Sequence, residues 1–304
     1  MTIDLKPGSD AWHRTISPSK AAVITRDSPH MGPLKLFNIW TGVHEPDAQT
    51  DAMKRGTFLE PGILNMYFDK HPELGRNGHE TQFVDDSLPF PNVANLDDVA
   101  HNPNGTRTNV QAKSDGHGGA FGTPGTDEIP VHYYVQVQLE MHIAKLLDTT
   151  MCVLGPFLQL DEYYIRYNQA HAEQIVEACR KFYVDNILAG VPPEPDGLRS
   201  TYDSMRKVHP EIAIDEDWEV SPELAIRHSR ALAAEKDSAA EANMTRSLVL
   251  KAMGNARRAV VGSGRGKKAI VVAQRQPTGK GGVSLYPPRK PVDIEALTRK
   301  DEAA

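Results

Sequence analysis

The segment "VANLDDVAHNPNGTRTNVQAKSD", residues 93–115, decides how this chain is read. Side chains alternate in character as far as Asp98, "HNPNG" supplies turn residues, and a second alternating run reaches Lys113, which predicts a β-hairpin. Successive side chains on a strand point to opposite faces, so Asn109, Gln111 and Lys113 share one face and Val110 and Ala112 the other. Asp97, near the turn on the partner strand, is expected beside the polar face. An aspartate opposite an x-K strand end has a specific chemical use. Hard divalent cations take oxygen ligands, and phosphodiester hydrolysis needs carboxylates that hold Mg2+ or Mn2+ against the phosphate. A lysine beside that ion orients the attacking water and offsets charge developing on the phosphorane oxygens. A carboxylate at position 111 would complete an E-x-K pair, but the chain carries Gln111. Such triplets occur by chance in many chains, so an ordinary edge strand stands as the alternative.

At 304 residues the chain can bury a full core, as one large domain or one domain with an appendage. No apolar run approaches the roughly 20 residues that span a bilayer. The opening "MTIDLKPGSDAWHR" lacks the apolar centre of a signal peptide, so a cytoplasmic protein is expected. Cys152 and Cys179 are too far apart for a C-x-x-C metal or redox motif and read as buried thiols. A net charge of −6 attracts neither nucleic acid nor membrane globally, so any contact with DNA must be local. One stretch meets that need. Arg246, Lys251, Arg257, Arg258, Arg265, Lys267, Lys268, Arg275 and Lys280 precede the next acid, Asp293, and form either a phosphate-facing surface or a solvated face.

Pro and Gly divide the chain, with "GHGGAFGTPG" (116–125) a loop and "AGVPPEPDG" (189–197) a terminator after a helix. Between them "IPVHYYVQVQLEMHIAKLL" has helical spacing, "TTMCVLGPFLQLDEYYIRYN" predicts two strands, and "AHAEQIVEACRKFYVDNIL" predicts an amphipathic helix. Ser221 and Pro222 suit the start of a long helix or a broken pair that stops at Gly254. "RRAVVGSGRGKKAIVVAQR" follows as two short strands around a glycine turn, and "GGVSLYPPRKP" closes the fold. "AVVGSGRGKK" is not a phosphate-binding loop, because Val261 and Lys268 stand where that motif needs Gly and Ser or Thr. The expected organisation is a main domain over 1–200 and a helix-plus-hairpin region over 201–304.

Three further segments bear on the hairpin. In "MKRGTFLEPGILNMYFDKHP" Glu60 follows Gly56 by four residues on an expected helix, from which an acid could approach the same ion. Gln138 lies beside the apolar stripe of its helix, where a buried amide needs a partner. "DAWHRTISPSKAAVI" sets Trp12, Arg14 and two serines before a helix start, a suitable shape for an anion site. For Trp12 a core anchor competes with a base-stacking platform, and Asp98 and Asp115 read as turn or surface acids close enough to compensate for Gln111. His132 and His142 read as solvated or hydrogen-bonded rather than metal-ligating, and Tyr133 and Tyr134 as packing residues.

In this order the segments "AWHR…ISPSKAAVI", "RGTFLEP", "ANLDDVA", "VQAKS", "IPVHYYVQVQLEM" and "FYVDNILAGVPPEPDG" resemble the lambda-type exonucleases, the YqaJ-like viral recombinase family of the PD-(D/E)xK nucleases. The resemblance covers about two thirds of the chain. It implies an α/β fold, a restriction-endonuclease-like core with a central mixed sheet flanked by helices, here with a C-terminal helix and β-hairpin appended. It implies that Asp97, Gln111 and the carbonyl of Ala112 hold metal, and that Lys113 is the catalytic lysine with Glu60 near the ions. Gln136 and Gln138 would line the site, Gln138 towards the water, while Ser19 would contact the 5′-phosphate of DNA. Arg14 is the nearest arginine for that phosphate, although its spacing to Ile16 is shorter than the family shows. The implied activity is Mg2+-dependent, or Mn2+-dependent, removal of nucleotides from 5′ ends of linear duplexes with two ions per site. The implied setting is phage recombination, with DNA ends as substrate, a single-strand annealing protein as partner and a homo-oligomeric ring. The alternatives are a DNA-end-binding module weakened by Gln111 and a phage endonuclease. An iron–sulfur nuclease needs four cysteines and is excluded by two.

Overall fold

The computed structural model describes residues 8–208, 211–262, 269–279, 281–288 and 292–301. They divide into two compact units, the first ending at Ile212 and the second beginning at Ala213.

In the first unit α1 (Asp10–His13), α2 (Pro18–Ile24), α3 (Pro33–Trp40) and α4 (Asp51–Lys70) precede β1 (Gly75–Arg76), β2 (Thr81–Phe83), β3 (Ala94–Leu96), β4 (Asp98–His101) and β5 (Arg107–Ser114). Then come α5 (Val131–Ala144), β6 (Asp148–Leu154), β7 (Leu160–Arg166) and α6 (Gln169–Lys181), which runs into a π-helical segment (Phe182–Leu188), and finally α7 (Arg199–Val208). The expected hairpin is β4–β5, with Asp98 opposite Val110 and His101 opposite Arg107. It belongs to a five-stranded sheet of order β1-β4-β5-β6-β7. β5 and β6 run parallel, because the helical crossover α5 returns the chain to the same end of the sheet, and the remaining pairs are antiparallel. β2 and β3 form a separate two-stranded ladder.

The sheet is covered on both faces, as an α/β core requires. Ile63, Leu64, Tyr67 and Phe68 of α4 pack with Ala100, Val110, Ala112, Cys152 and Leu154. On the opposite face Val99, Met151, Val153, Tyr163 and Ile165 pack with the apolar sides of α2, α5 and α6. α5 is buried almost all round from Val135 onward, so its polar side chains must find partners inside the protein. Both cysteines are free and buried, as expected, and burial pushes the Cys179 thiol up to about 12.

The second unit consists of α8 (Pro222–Met253), β8 (Arg258–Val261), β9 (Ile270–Pro277), β10 (Val283–Tyr286) and α9 (Ile294–Asp301). α8 is one helix rather than a broken pair, capped by the Ser221 side chain on Leu224 N at 3.2 Å and ending at Gly254. β8 and β9 pair antiparallel as expected, and β10 adds a third strand. The glycine-rich stretch between β8 and β9, with Arg265, Lys267 and Lys268, lies outside the described residues, as does Lys280. Among the described residues no helix is long and apolar enough to cross a membrane.

Candidate active site

Strand β5 positions the centre of the site. Its Asn109, Gln111 and Lys113 face α5, as the alternation predicts, while Val110 and Ala112 pack against α4. Asp97 sits at the break between β3 and β4, and its Oδ2 accepts a hydrogen bond from Ala112 N at 2.8 Å. Lys113 Nζ donates to Gln111 Oε1 at 3.2 Å and lies 5.5 Å from the centre of the Tyr133 ring. That ring stacks on Phe121, delivered by the glycine-rich loop after β5, at 5.8 Å between centroids.

Charge ties these groups to Glu60. Burial and the charge of Asp97 push the Glu60 carboxyl up to about 7, with Lys113 pulling it back. Asp97 is likewise raised, by burial first, with Lys113 and the Ala112 N–H opposing. Burial works against the Lys113 ammonium, but Asp97, Glu140 and Glu60 outweigh it and hold the pKa above the usual lysine value. The structure thus brings Glu60, Asp97, Gln111, Ala112 and Lys113 together. Each carboxylate is costly to ionise there without a positive charge nearby.

The two glutamines of α5 differ from the expected arrangement. Gln138 is fully buried, donating from Nε2 to Arg166 O and accepting on Oε1 from Asn168 N, both at 2.8 Å, so it ties α5 to the end of β7. Side chains two apart on a helix point about 200° away from each other. It is Gln136 that takes the inward position, donating from Nε2 to Glu140 Oε1 at 2.8 Å. Glu140, which the sequence reading passed over, is 1% exposed and accepts on Oε2 from Asn109 Nδ2 at 2.8 Å. Burial pushes its carboxyl up to about 7, with Gln136 and Lys113 opposing. Its one local signal was being the single acid of α5, a helix buried almost all round from Val135 onward.

The N-terminal residues stand differently. Ser19 is exposed, its Oγ 3.1 Å from that of buried Ser17. Arg14 is exposed and lines a cavity together with Asp85 and Asp86, of which Asp85 is paired with Lys145. Trp12 is half-buried with one face covered by the Lys20 ammonium, 3.7 Å from the ring centre, which matches the anchor reading better than a free stacking platform. Lys20 itself is buried, donating to Thr15 O at 2.7 Å and to Trp12 O.

Asp98 is not a surface acid. It is fully buried, paired with Arg76 at 2.8 Å, and accepts from Gly78 N at 3.1 Å, so it is committed elsewhere and does not compensate for Gln111. Asp115 is a turn acid, accepting from Gly118 N and Ala120 N. His142 Nδ1 is 2.8 Å from Tyr167 OH, and the His132 ring lies 4.1 Å from Tyr133.

The donors fit a hard cation in type. Asp97 and Glu60 carboxylates, the Gln111 amide oxygen and the Ala112 carbonyl are all oxygens, and the charge of Asp97 raises the Glu60 pKa as it would in a place meant for positive charge. The fit has a gap at Gln111. Its Nε2 is buried with no hydrogen-bond partner, and among the described residues no three His, Cys, Asp or Glu side chains converge as a metal cluster.

The fold and this strand-end arrangement define an α/β protein with a central mixed sheet flanked by helices and with further C-terminal strands. Residues 10–149 match the family model of the YqaJ-like viral recombinase domain. No curated protein matches the chain. Solved structures similar to it include an alkaline exonuclease from Laribacter hongkongensis, 16% identical, covering 60% of this chain and 91% of that one with a TM-score of 0.45. A phage related exonuclease from Haemophilus somnus is 11% identical over 60% of this chain and 98% of that one, with a TM-score of 0.44. A putative exonuclease from Eubacterium rectale is 9% identical over 73% and 96%, with a TM-score of 0.40.

Proposed function

We propose that this protein is a divalent-metal-dependent DNA exonuclease that removes nucleotides from 5′ ends of linear duplexes and leaves 3′ single strands for recombination. The observation that carries the reading is the convergence of Lys113, Asp97 and Glu60 at the end of β5, within a YqaJ-like domain. Mg2+ or Mn2+ bound by Asp97, Glu60, Gln111 Oε1 and the Ala112 carbonyl would supply the charge that holds the phosphate and acidifies water. Lys113, kept protonated by its acidic neighbours, orients a water and stabilises charge on the non-bridging oxygens. Tyr133 and Phe121 wall the lysine on one side and limit the water around it. Asp97 is held in place by the Ala112 N–H, so it needs little reorganisation to act as a ligand.

The test is incubation of the full chain with a 5′-phosphorylated linear duplex and Mg2+ or Mn2+. Nucleotides are released from the 5′ ends, and Lys113→Ala stops the release. No release with either ion refutes the reading.

A second reading, a DNA-end-binding module that has lost catalysis, is favoured by the unpaired Gln111 Nε2 and by Lys113 occupying Oε1 of the same amide. Under it the parent binds ends without cutting and Gln111→Glu creates activity. A parent that cuts, with the cutting abolished in Lys113→Ala, excludes it. An annealing protein that takes up the 3′ strand, and a ring of subunits around the duplex, belong to the exonuclease reading. Co-purification and sedimentation are their tests.

A further inference from the structure

We propose that Glu140 supplies from α5 the buried negative charge that Gln111 withholds from β5, and is a positioning residue for Lys113 and for cation capture. The inference rests on the nuclease reading above and deepens it.

The geometry is specific. Glu140 is 1% exposed and holds one amide donor on each oxygen, Gln136 Nε2 on Oε1 and Asn109 Nδ2 on Oε2, both at 2.8 Å. Asn109 stands on the same face of β5 as Gln111 and Lys113, and successive same-face residues are about 7 Å apart along a strand. Glu140 is therefore fixed against the polar row that ends in Lys113, whose charge acts on it together with that of Asp97.

A plain structural brace between α5 and β5 does not require a carboxylate. The two donors facing Glu140 are neutral amides, and a glutamine there could accept from Asn109 while Gln136 turned its own oxygen inward. Burying an ion instead carries a desolvation cost, which neutral donors offset only in part. What an acid adds is charge. With Glu140 three acids, Glu60, Asp97 and Glu140, act on the charge of Lys113, the same number that an acid at position 111 would give without it.

The experiment measures Mn2+ binding to the full chain by calorimetry, without DNA, for the parent, Glu140→Gln and Gln111→Glu/Glu140→Gln, with thermal melting of each as a check on folding. Cleavage kinetics with Mg2+ are measured alongside. In Glu140→Gln, Mn2+ affinity falls at least tenfold and kcat falls while KM for DNA holds. In the double variant, the charge returned on the strand restores most of both. Parental affinity and kcat in Glu140→Gln overturn the inference and leave the nuclease reading intact. So does a loss that the double variant fails to reverse. A parent that binds no Mn2+ and cuts no DNA overturns both.

Discussion

Gln111 is a buried amide whose two ends fare differently. Oε1 receives the Lys113 ammonium at 3.2 Å, and Nε2 has no acceptor. Flipping the amide would set two donors against each other, so the lysine fixes the orientation and leaves the unpaired N–H, at a cost of about 1–3 kcal/mol. Gln111→Glu removes that orphan but adds a negative charge near Asp97, Glu60 and Glu140. Without divalent cation this variant is expected to melt below the parent, and saturating Mg2+ to raise its Tm by several degrees more than the parent's. Melting with and without chelator checks this, and equal Mg2+ shifts would contradict it. Lys20 offers a prediction in pH. Burial pushes its pKa down from 10.5 to about 7, so below pH 7 both folded and unfolded chains carry the proton and the fold bears the whole desolvation cost. As pH rises through that value the folded chain loses the proton first, and stability increases until the unfolded chain loses it too. The two carbonyl acceptors and the Trp12 face favour the charged form and temper the effect. Denaturant unfolding of the first unit should therefore show a gain between pH 7 and about 9 that Lys20→Met flattens.

At the scale of elements, α4 and the β4–β5 hairpin carry the site, and each holds a feature that trades against stability. Pro61 follows Glu60 directly inside α4, where it removes a backbone donor and frees the carbonyl of Thr57. Pro61→Ala is expected to stabilise the first unit by about 1–3 kcal/mol while lowering cleavage, because straightening the helix moves Glu60. Unfolding curves and kcat measured on the same variant separate the two effects. Asp98 pins the hairpin from the other side, receiving Arg76 and the Gly78 N–H while wholly buried. Asp98→Ala leaves the arginine and that N–H unpaired and is expected to cost about 3 kcal/mol, read as a lower denaturant midpoint. The hairpin itself was legible in its alternation and turn residues. That Asp98 belongs to the fold and Asp97 to the site was not, because adjacent residues at a strand break diverge according to what packs on either side.

On the scale of the whole molecule, a net charge of −6 coexists with a basic run that includes exposed Arg257 and Arg258 in the second unit. If that run meets DNA phosphates, Arg257→Ala/Arg258→Ala lowers the slope of log affinity against log salt by about 1.8, with little dependence on DNA sequence. An unchanged slope in a binding titration marks the run as a solvated face. Local pattern determined the β4–β5 hairpin, the types of α5, β6, β7 and α6, the capped limits of α8, and the face shared by Gln111 and Lys113. Alternation, caps and turn residues act over a few positions and need no knowledge of the rest of the chain. Tertiary structure alone decided that Gln136 and Glu140 of α5 face the site while Gln138 faces β7, and that Lys20 is buried under Trp12. Those outcomes depend on the rotation of a helix about its axis and on charges brought together from distant parts of the chain. Both are set by packing on the two faces of the sheet, which no single segment specifies.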